Sequence, residues 1–266
     1  MLTQIENLDL SKYKRFFAFG CSFTGYIWPT WADVLAKEMP DAEYFNFGKS
    51  GAGNLFITSR LIEANIKLNF TENDLVVLMY STFCREDRYL SNQWQNPGNI
   101  FTQGFYDYEF ISKYADPKGY LLRDLIIMTT TLEYMRNQPC DIIPLMSVPF
   151  NYQNENDKSA DDIIRAFKST TESMPTSLLE LEMKMNFLPH GHRYYWHSDK
   201  VIFEDYHPGP MRYRNYLEKL GFPLSNRSLT SIVEAEVKLK QTRTRNEIVQ
   251  IFPDLTEGTK NFTNWW

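Results

Sequence analysis

Apolar runs and helical periodicities alternate along most of this chain. Four short apolar runs, bounded by polar residues or glycine, predict buried strands at residues 16–19, 42–47, 75–80 and 141–148. Apolar residues recur at helical spacing over residues 29–39, 55–68, 120–135 and 211–220. Strands that alternate with helices are typical of parallel pairing. The pattern therefore predicts an α/β fold with a doubly wound parallel sheet.

The ends of the first three predicted strands should meet at one edge of that sheet. Right-handed crossovers bring the carboxyl ends of successive parallel strands to the same edge. Ser22 follows the first strand, Gly51 follows the second and Thr82 follows the third. Ligands bind at this edge in open α/β sheets. We therefore expect these three residues to come together in a functional site.

Two long insertions and a tail fall outside this alternation. The first, residues 85–118, is rich in Trp, Tyr, Asn and Gln and is predicted to form a long loop at the same edge. Its rings and amides suit sugar faces and hydroxyls, while a lid or an oligomer contact is an equal alternative. The second, residues 151–200, contains two short helical patterns. We expect one α/β domain over residues 1–225 and a helical extension over 226–266 that packs on the domain or on a partner subunit.

Charge and composition exclude several classes of partner. The 266-residue chain has a formal net charge of -5, so no global basic field attracts nucleic acid or an anionic membrane. No apolar segment has the length of a signal-peptide core or of a membrane span, which favours a cytoplasmic protein. The three cysteines have no metal-binding spacing and indicate reduced thiols. We expect no metal, no cofactor, and no nucleic-acid or membrane partner.

A serine and a histidine at opposite ends of the predicted domain are the candidate reactive groups. Ser22 follows the first strand after Gly20-Cys21, which places its hydroxyl at the rim of the sheet. His207 follows Asp205, and a carboxylate two residues earlier can accept the Nδ1 proton of the ring. Nε2 is then available to take a proton from a serine. We interpret Ser22 as nucleophile, His207 as base and Asp205 as its orienting acid, with Glu204 as the alternative acid.

These motifs together resemble the SGNH (GDSL-type) hydrolases. The first block of that family is similar to residues 20–24, the second to residues 46–54 with Gly51 at the oxyanion-hole position, and the last to residues 205–208. The resemblance implies a three-layer, flavodoxin-like sheet and a Ser-His-Asp mechanism. It also implies a serine esterase that removes O-acyl groups from a carbohydrate or a similar polar substrate, with acetyl as the expected acyl group. The backbone N–H groups of Ser22 and Gly51 would stabilise the oxyanion.

The third block of the family departs from this pattern. The family carries Gly-x-Asn-Asp after the third strand, and the asparagine donates to the oxyanion. Here the strand is followed by Ser81-Thr82-Phe83-Cys84-Arg85, with no asparagine. We therefore expect Thr82 to supply the third donor, with Ser81, Arg85 and Asn54 as alternatives. Asn54, Arg85 and Trp94 are also predicted to contact substrate.

Three other functions fit parts of the same sequence. The serine could transfer the acyl group to a sugar hydroxyl, as an O-acyltransferase does. Without a working oxyanion hole, the domain would be a non-catalytic glycan-binding or structural module. A third alternative is a metal-dependent hydrolase that uses His190, His192 and His197, although the surrounding aromatic residues equally suit a substrate-facing edge. The expected partner is a small-molecule or glycan ester, and a homo-oligomer is also open.

Overall fold

The computed structural model describes most of the chain, with gaps near the ends and before the last strands. The described residues are 5, 8–101, 104–151, 157–183, 192–195, 202–253 and 255, and for 183, 192–195 and 202–204 the backbone alone is described. His190 and His197 of the alternative metal cluster lie outside these residues. Most of the second insertion after residue 183, and the extension beyond residue 255, lie outside them as well.

Eight strands and nine helices are present in the described part of the chain. The strands are β1 (Arg15–Gly20), β2 (Glu43–Gly48), β3 (Asp74–Tyr80), β4 (Arg85–Leu90), β5 (Gln93–Asn99), β6 (Asp141–Met146), β7 (His192–Tyr195) and β8 (Ile202–Asp205). The helices are α1 (Trp31–Glu38), α2 (Asn54–Leu68), α3 (Tyr108–Tyr114), α4 (Pro117–Arg136), α5 (Lys158–Ala166), α6 (Lys168–Thr171), α7 (Pro210–Lys219), α8 (Asn226–Gln241) and α9 (Arg245–Ile251). A 3-10 turn spans Leu10–Lys12 and a single π-helical turn spans Leu179–Met183.

A four-stranded parallel sheet forms the centre of the molecule, in the order β2-β1-β3-β6. In register, Phe17 of β1 lies opposite Phe45 on one side and Val76 on the other. Both faces are covered: Phe17 and Phe19 face α2 and α4, whereas Phe16 and Ala18 face α1 and α7. Strands covered on both sides read as continuous apolar runs. The predicted α/β class and doubly wound parallel sheet are therefore confirmed.

The helix α1 begins directly after the loop that carries Ser22. Thr30 is extended and its side chain caps the helix. The Asp33 carboxylate in turn accepts a hydrogen bond from the Thr30 N–H at 2.8 Å. This capping box makes α1 start two residues later than the sequence pattern predicts. Tyr44 of β2 donates to the other oxygen of Asp33 at 3.1 Å. Burial raises the pKa of Asp33 despite these donors.

The first insertion is a β-hairpin and a short helix, which corrects the expectation of a long loop. Strands β4 and β5 pair antiparallel, and the turn between them is Ser91-Asn92. Both turn residues have positive φ, 51° and 61°, as a type I′ turn requires. The hairpin twists back over the loop between β2 and α2, so it lies at the predicted site.

The segments after the second insertion close the domain. The antiparallel pair β7–β8 leads into the loop that carries His207. Helix α8 packs on α1 and α7 through Ile232, and its Leu239 packs with Ile27, Trp28 and Ile248. Ser225, which precedes α8, donates its hydroxyl to Glu38 of α1 at 2.6 Å. In the described ranges, no helix is long and apolar enough to cross a membrane.

Candidate active site

The structure brings Ser22, His207 and Asp205 into one continuous hydrogen-bonded chain. His207 Nε2 lies 2.7 Å from Ser22 Oγ, and His207 Nδ1 lies 2.6 Å from Asp205 Oδ1. The backbone N–H of His207 donates to the same Asp205 oxygen at 2.9 Å. Asp205 is buried, whereas the His207 side chain keeps 24% of its surface exposed. Of the two acids proposed from the sequence, Asp205 lies within hydrogen-bond distance of the ring, and the side chain of Glu204 lies outside the described part of the structure.

Ser22 lies in a tight turn at the carboxyl end of β1. The N–H groups of Thr24 and Gly25 both donate to the Cys21 carbonyl, at 2.9 and 3.1 Å, which folds the chain back beneath the serine. This turn packs directly on the end of β2. A Cβ added to Gly48 would lie 2.2 Å from the Gly25 nitrogen, so only glycine allows this approach. The serine is thereby held at the rim of the sheet.

The loops after β1 and β2 each carry a backbone N–H group that is a candidate oxyanion donor. Neither Ser22 N–H nor Gly51 N–H has a hydrogen-bond acceptor in the described part of the chain. Gly51 has a φ of +79°, which favours glycine. The hairpin covers it closely, because a Cβ at Gly51 would lie 2.2 Å from the Asn96 carbonyl oxygen. Backbone donors in such a fixed loop are the groups that stabilise a developing oxyanion.

Thr82 and Arg85 connect the end of β3 to the Gly51 loop. Arg85 Nε donates to Thr82 Oγ1 at 2.8 Å, and Arg85 Nη1 donates to the Ala52 carbonyl at 3.0 Å. A hydroxyl that accepts from a guanidinium keeps its own proton for donation elsewhere. The Thr82 hydroxyl therefore keeps a proton to donate, while Nε and Nη1 of Arg85 are engaged within the protein.

Asn54, predicted as a substrate contact, is instead a buried structural residue. Its amide nitrogen donates to Asp124 at 2.8 Å and to the Ser81 carbonyl at 3.4 Å, and its oxygen accepts from Ser81 N–H at 2.8 Å. Both amide protons are thus engaged inside the protein. Burial raises the pKa of Asp124 to about 6, although Arg123 and Asn54 favour the charged form. The Asn54 side chain joins α2, β3 and α4.

Trp94, also predicted to contact substrate, lies on β5 with its ring half-buried. The ring packs edge-on against Phe56 at 5.7 Å and against Tyr89 at 5.7 Å. Its carbonyl oxygen accepts from Lys49 Nζ at 2.8 Å. Burial, with a smaller contribution from nearby Arg60, lowers the pKa of Lys49. Trp94 therefore anchors the hairpin, and its contact with substrate stays a prediction.

Tyr26 is a residue of this site that sequence reasoning missed. Its hydroxyl donates to Asp205 Oδ2, and its ring stacks on His207 with centroids 3.9 Å apart and planes at 16°. Phe23 and Trp28 meet the same imidazole edge-on, at 5.4 and 6.3 Å. The only sequence signal is three aromatic residues within the six positions that follow Ser22. All three come from the loop that carries the nucleophile.

Asp87 is a second residue that sequence reasoning missed. It lies where the β4–β5 register shifts between Glu86 and Arg88, and its side chain turns inward. Its two oxygens accept from the N–H groups of Gly53 and Phe56, both at 2.9 Å, at the start of α2. Asn96 of β5 donates to the same carboxylate at 2.6 Å. The hairpin thus caps the helix that follows the Gly51 loop.

The remaining candidate groups are the alternative metal cluster and the three cysteines. His192 of the alternative metal cluster has only its backbone described, and the described residues contain no group of three or more potential metal ligands. Cys21, Cys84 and Cys140 are free and buried. Burial raises the pKa of both Cys84 and Cys140 to about 12. Cys84 and Cys140 are therefore protonated packing residues near neutral pH.

Comparison with known proteins gives matches among solved structures alone. No protein-family model matches the chain, and no curated protein matches it. Axe2, an acetylxylan esterase from Geobacillus stearothermophilus, is 16% identical with a TM-score of 0.43, over 81% of this chain and 97% of that one. LAE5, an alpha/beta hydrolase from the metagenome of Lake Arreo in Spain, is 12% identical with a TM-score of 0.44, over 81% and 98%.

A member of the lipolytic G-D-S-L family from Veillonella parvula also matches. It is 12% identical with a TM-score of 0.37, over 81% of this chain and 96% of that one. The family whose motifs the sequence resembles is thus present among the matched structures. At these identities and scores, the chemistry has to be derived from the residues of this chain.

Proposed function

We propose that this protein is a serine ester hydrolase that removes an O-acyl group from a polar substrate. The observation that carries the proposal is the hydrogen-bonded chain from Ser22 through His207 to Asp205. A serine, a histidine and a buried carboxylate in this order are the parts of an acyl-transfer triad. Their place at the carboxyl edge of a parallel sheet fits a ligand site.

In the first half of the reaction, His207 Nε2 takes the hydroxyl proton while Ser22 Oγ attacks the ester carbonyl. Asp205 accepts a hydrogen bond from Nδ1–H, which fixes the tautomer and stabilises the imidazolium. The carbonyl oxygen becomes an oxyanion, for which Ser22 N–H, Gly51 N–H and the Thr82 hydroxyl are the donors. The intermediate collapses, the bond to the leaving oxygen breaks, and His207 protonates the departing alcohol.

The second half regenerates the serine. His207 Nε2 takes a proton from water, whose oxygen attacks the acyl carbon on Ser22. Collapse of the second intermediate breaks the acyl–Oγ bond, returns the proton to Ser22 and releases the carboxylic acid. The transfer alternative differs in one reactant, because a sugar hydroxyl would then replace the water.

An O-acetylated carbohydrate is the substrate class that we propose. Exposed aromatic rings lie on the hairpin and on α3, including Tyr89 and Tyr108, which are 45% and 84% exposed. Aromatic faces with amide neighbours suit stacking on sugars and hydrogen bonding to hydroxyls. Acetyl is the smallest acyl group and the first to test.

Hydrolysis of p-nitrophenyl acetate in the presence of a chelator tests the mechanism. We expect Ser22→Ala and His207→Ala each to lower kcat by at least about 10³-fold, while Ser112→Ala, an exposed serine on α3, retains activity. A fluorophosphonate should add once, at Ser22, by mass spectrometry. Activity that survives Ser22→Ala, or that the chelator abolishes, would contradict the proposal and favour the metal alternative.

A further inference from the structure

The aromatic ring of Tyr26 is in direct contact with the proposed base. Its centroid lies 3.9 Å from that of His207, with planes at 16°, so the two rings are stacked face to face. On other sides Phe23 and Trp28 meet the imidazole edge-on. An imidazole held in this way has little freedom to rotate away from Ser22 and Asp205.

The hydroxyl of Tyr26 is in direct contact with the proposed acid. It donates to Asp205 Oδ2, the oxygen opposite the one that receives both His207 donors. The two carboxylate oxygens therefore have separate donors, which fixes the rotation of the carboxyl group about its bond to Cβ. A hydrogen bond to an ionised acceptor is also among the strong ones.

The loop around Tyr26 is itself held in place from two sides. Trp28 packs edge-on against Tyr26 at 4.6 Å, and Trp28 Nε1 donates to the Pro208 carbonyl at 2.9 Å. One loop, residues 21–30, thus carries Ser22 and also contacts Asp205 and His207, which come from a segment about 180 residues later. Tyr26 lies on that loop at the point where both contacts are made.

We infer that Tyr26 is a positioning residue of the triad, which sets the orientation of Asp205 through its hydroxyl and of His207 through its ring. The inference rests on the proposed esterase function. Tyr26 transfers no proton and forms no bond in the proposed reaction. Loss of its contacts should therefore lower kcat and leave KM unchanged, because the triad geometry matters in the transition state and not in the binding of the ester.

Two substitutions separate the effect of the Tyr26 hydroxyl from the effect of its ring. Tyr26→Phe keeps the stack and removes the donor to Asp205, and we expect kcat to fall about tenfold with KM unchanged. Tyr26→Leu also removes the stack and should lower kcat further. Tyr44→Phe is the matched control, because it likewise removes a tyrosine donor to a buried aspartate, Asp33, outside the triad. It should leave kcat unchanged.

A double-mutant cycle identifies the route of the effect. In an Asp205→Ala background the acceptor is absent, so Tyr26→Phe should cause no additional loss of kcat. Equal losses in both backgrounds would overturn the inference, as would a Tyr26→Phe variant with the wild-type kcat. Urea midpoints of all variants report whether each one folds.

A measurement without turnover separates this inference from the esterase proposal. The His207 Nδ1–H proton should give a downfield proton NMR resonance, assigned by its loss in His207→Ala. Tyr26→Phe should shift this resonance and Tyr44→Phe should not. An inactive wild type with this shift would contradict the esterase proposal alone. An active wild type whose resonance does not respond to Tyr26→Phe would contradict the role of Tyr26.

Discussion

At the scale of single residues, the candidate oxyanion hole depends on the backbone at Gly51. Its φ of +79° is costly for any residue with a Cβ, and the Asn96 carbonyl occupies the space that a Cβ would need. Both the conformation and the neighbour therefore require glycine. Gly104 also has a positive φ, +62°, but no atom lies within 4 Å of an added Cβ. It therefore has a similar backbone conformation to Gly51 and lacks a close neighbouring carbonyl.

These two glycines allow a controlled test of the oxyanion donor. In Gly51→Ala we expect kcat to fall by about 10²–10³-fold, because the loop must shift its N–H away from the oxyanion position. The free energy of unfolding should also fall by about 1–3 kcal/mol. Gly104→Ala should keep full activity. Measured kcat and urea unfolding of both variants check this, and equal activity in the two would contradict a role for the Gly51 loop.

Thr82 allows an independent test of the third donor. Thr82→Val removes the hydroxyl at nearly constant volume, and we expect kcat to fall by about 10²–10³-fold with little change in KM. Thr82→Ser keeps the hydroxyl and should retain most of the rate. Steady-state kinetics decide the point, since similar losses in both variants would show that the hydroxyl is not the group that matters.

The hydrogen-bonded arrangement of Ser22, His207 and Asp205 could be predicted from the sequence, but the residues that support it could not. Ser22, Asp205 and His207 lie in short sequence motifs, and the residue types in these motifs are enough to predict their chemistry. Tyr26 acts through stacking on a ring about 180 positions away, and no local pattern reveals that distance. Asn54 looked like a substrate contact because it is polar and follows the Gly51 loop, and only its burial against Asp124 shows otherwise.

At the scale of elements, the hairpin β4–β5 and the helix α2 are joined by one carboxylate. Asp87 accepts from two N–H groups that would otherwise be unpaired in the first turn of α2. Asn96 connects the second strand to the same oxygen as Gly53. The Gly51 loop lies between these elements, so its position follows from this junction.

Removal of that carboxylate should loosen the junction. In Asp87→Ala we expect the free energy of unfolding to fall by about 1–3 kcal/mol, because buried N–H groups lose their acceptor. Asp107→Ala is the control, since Asp107 caps the exposed start of α3 through Phe110 N–H at 2.7 Å. It should cost about 1 kcal/mol or less. Urea denaturation compares the two, and an equal cost would contradict the special role of Asp87.

Elements with regular apolar periodicity were predictable, whereas the hairpin was not. The strands and helices of the sheet follow from apolar runs and helical spacing, because burial on two faces leaves a clear pattern. Strands β4 and β5 are polar and mostly only half-buried, and their turn is Ser91-Asn92 instead of Asn-Gly, which is the stronger hairpin signal. Their pairing depends on contacts with the Gly51 loop and α2, which are not local in the sequence.

At the scale of the whole molecule, Asp124 places a titrating carboxyl in the seam between the sheet and two helices. Burial raises its pKa to about 6 from an ordinary value of 3.8. The folded protein therefore holds this proton more tightly than the unfolded chain does. The resulting stabilisation is complete below about pH 4 and is lost as the pH rises through about 6.

The pH dependence of unfolding tests this property. Between pH 4 and pH 7, the unfolding free energy of the wild type should fall by up to about 3 kcal/mol relative to that of Asp124→Asn. The variant cannot titrate at this position, which removes this contribution to its own curve. Urea unfolding at several pH values measures both. A difference that is constant with pH would show that Arg123 keeps Asp124 ionised throughout.

The burial of all three cysteines makes the protein suitable for site-specific labelling. Thiol-reactive dyes need an accessible thiolate, and burial keeps Cys84 and Cys140 protonated while Cys21 is enclosed beside the nucleophile turn. A cysteine introduced by Ser112→Cys, at an exposed position on α3, would then be the one group that a maleimide fluorophore modifies rapidly. Its anisotropy could follow oligosaccharide binding on the native background, with no cysteine-free variant needed first.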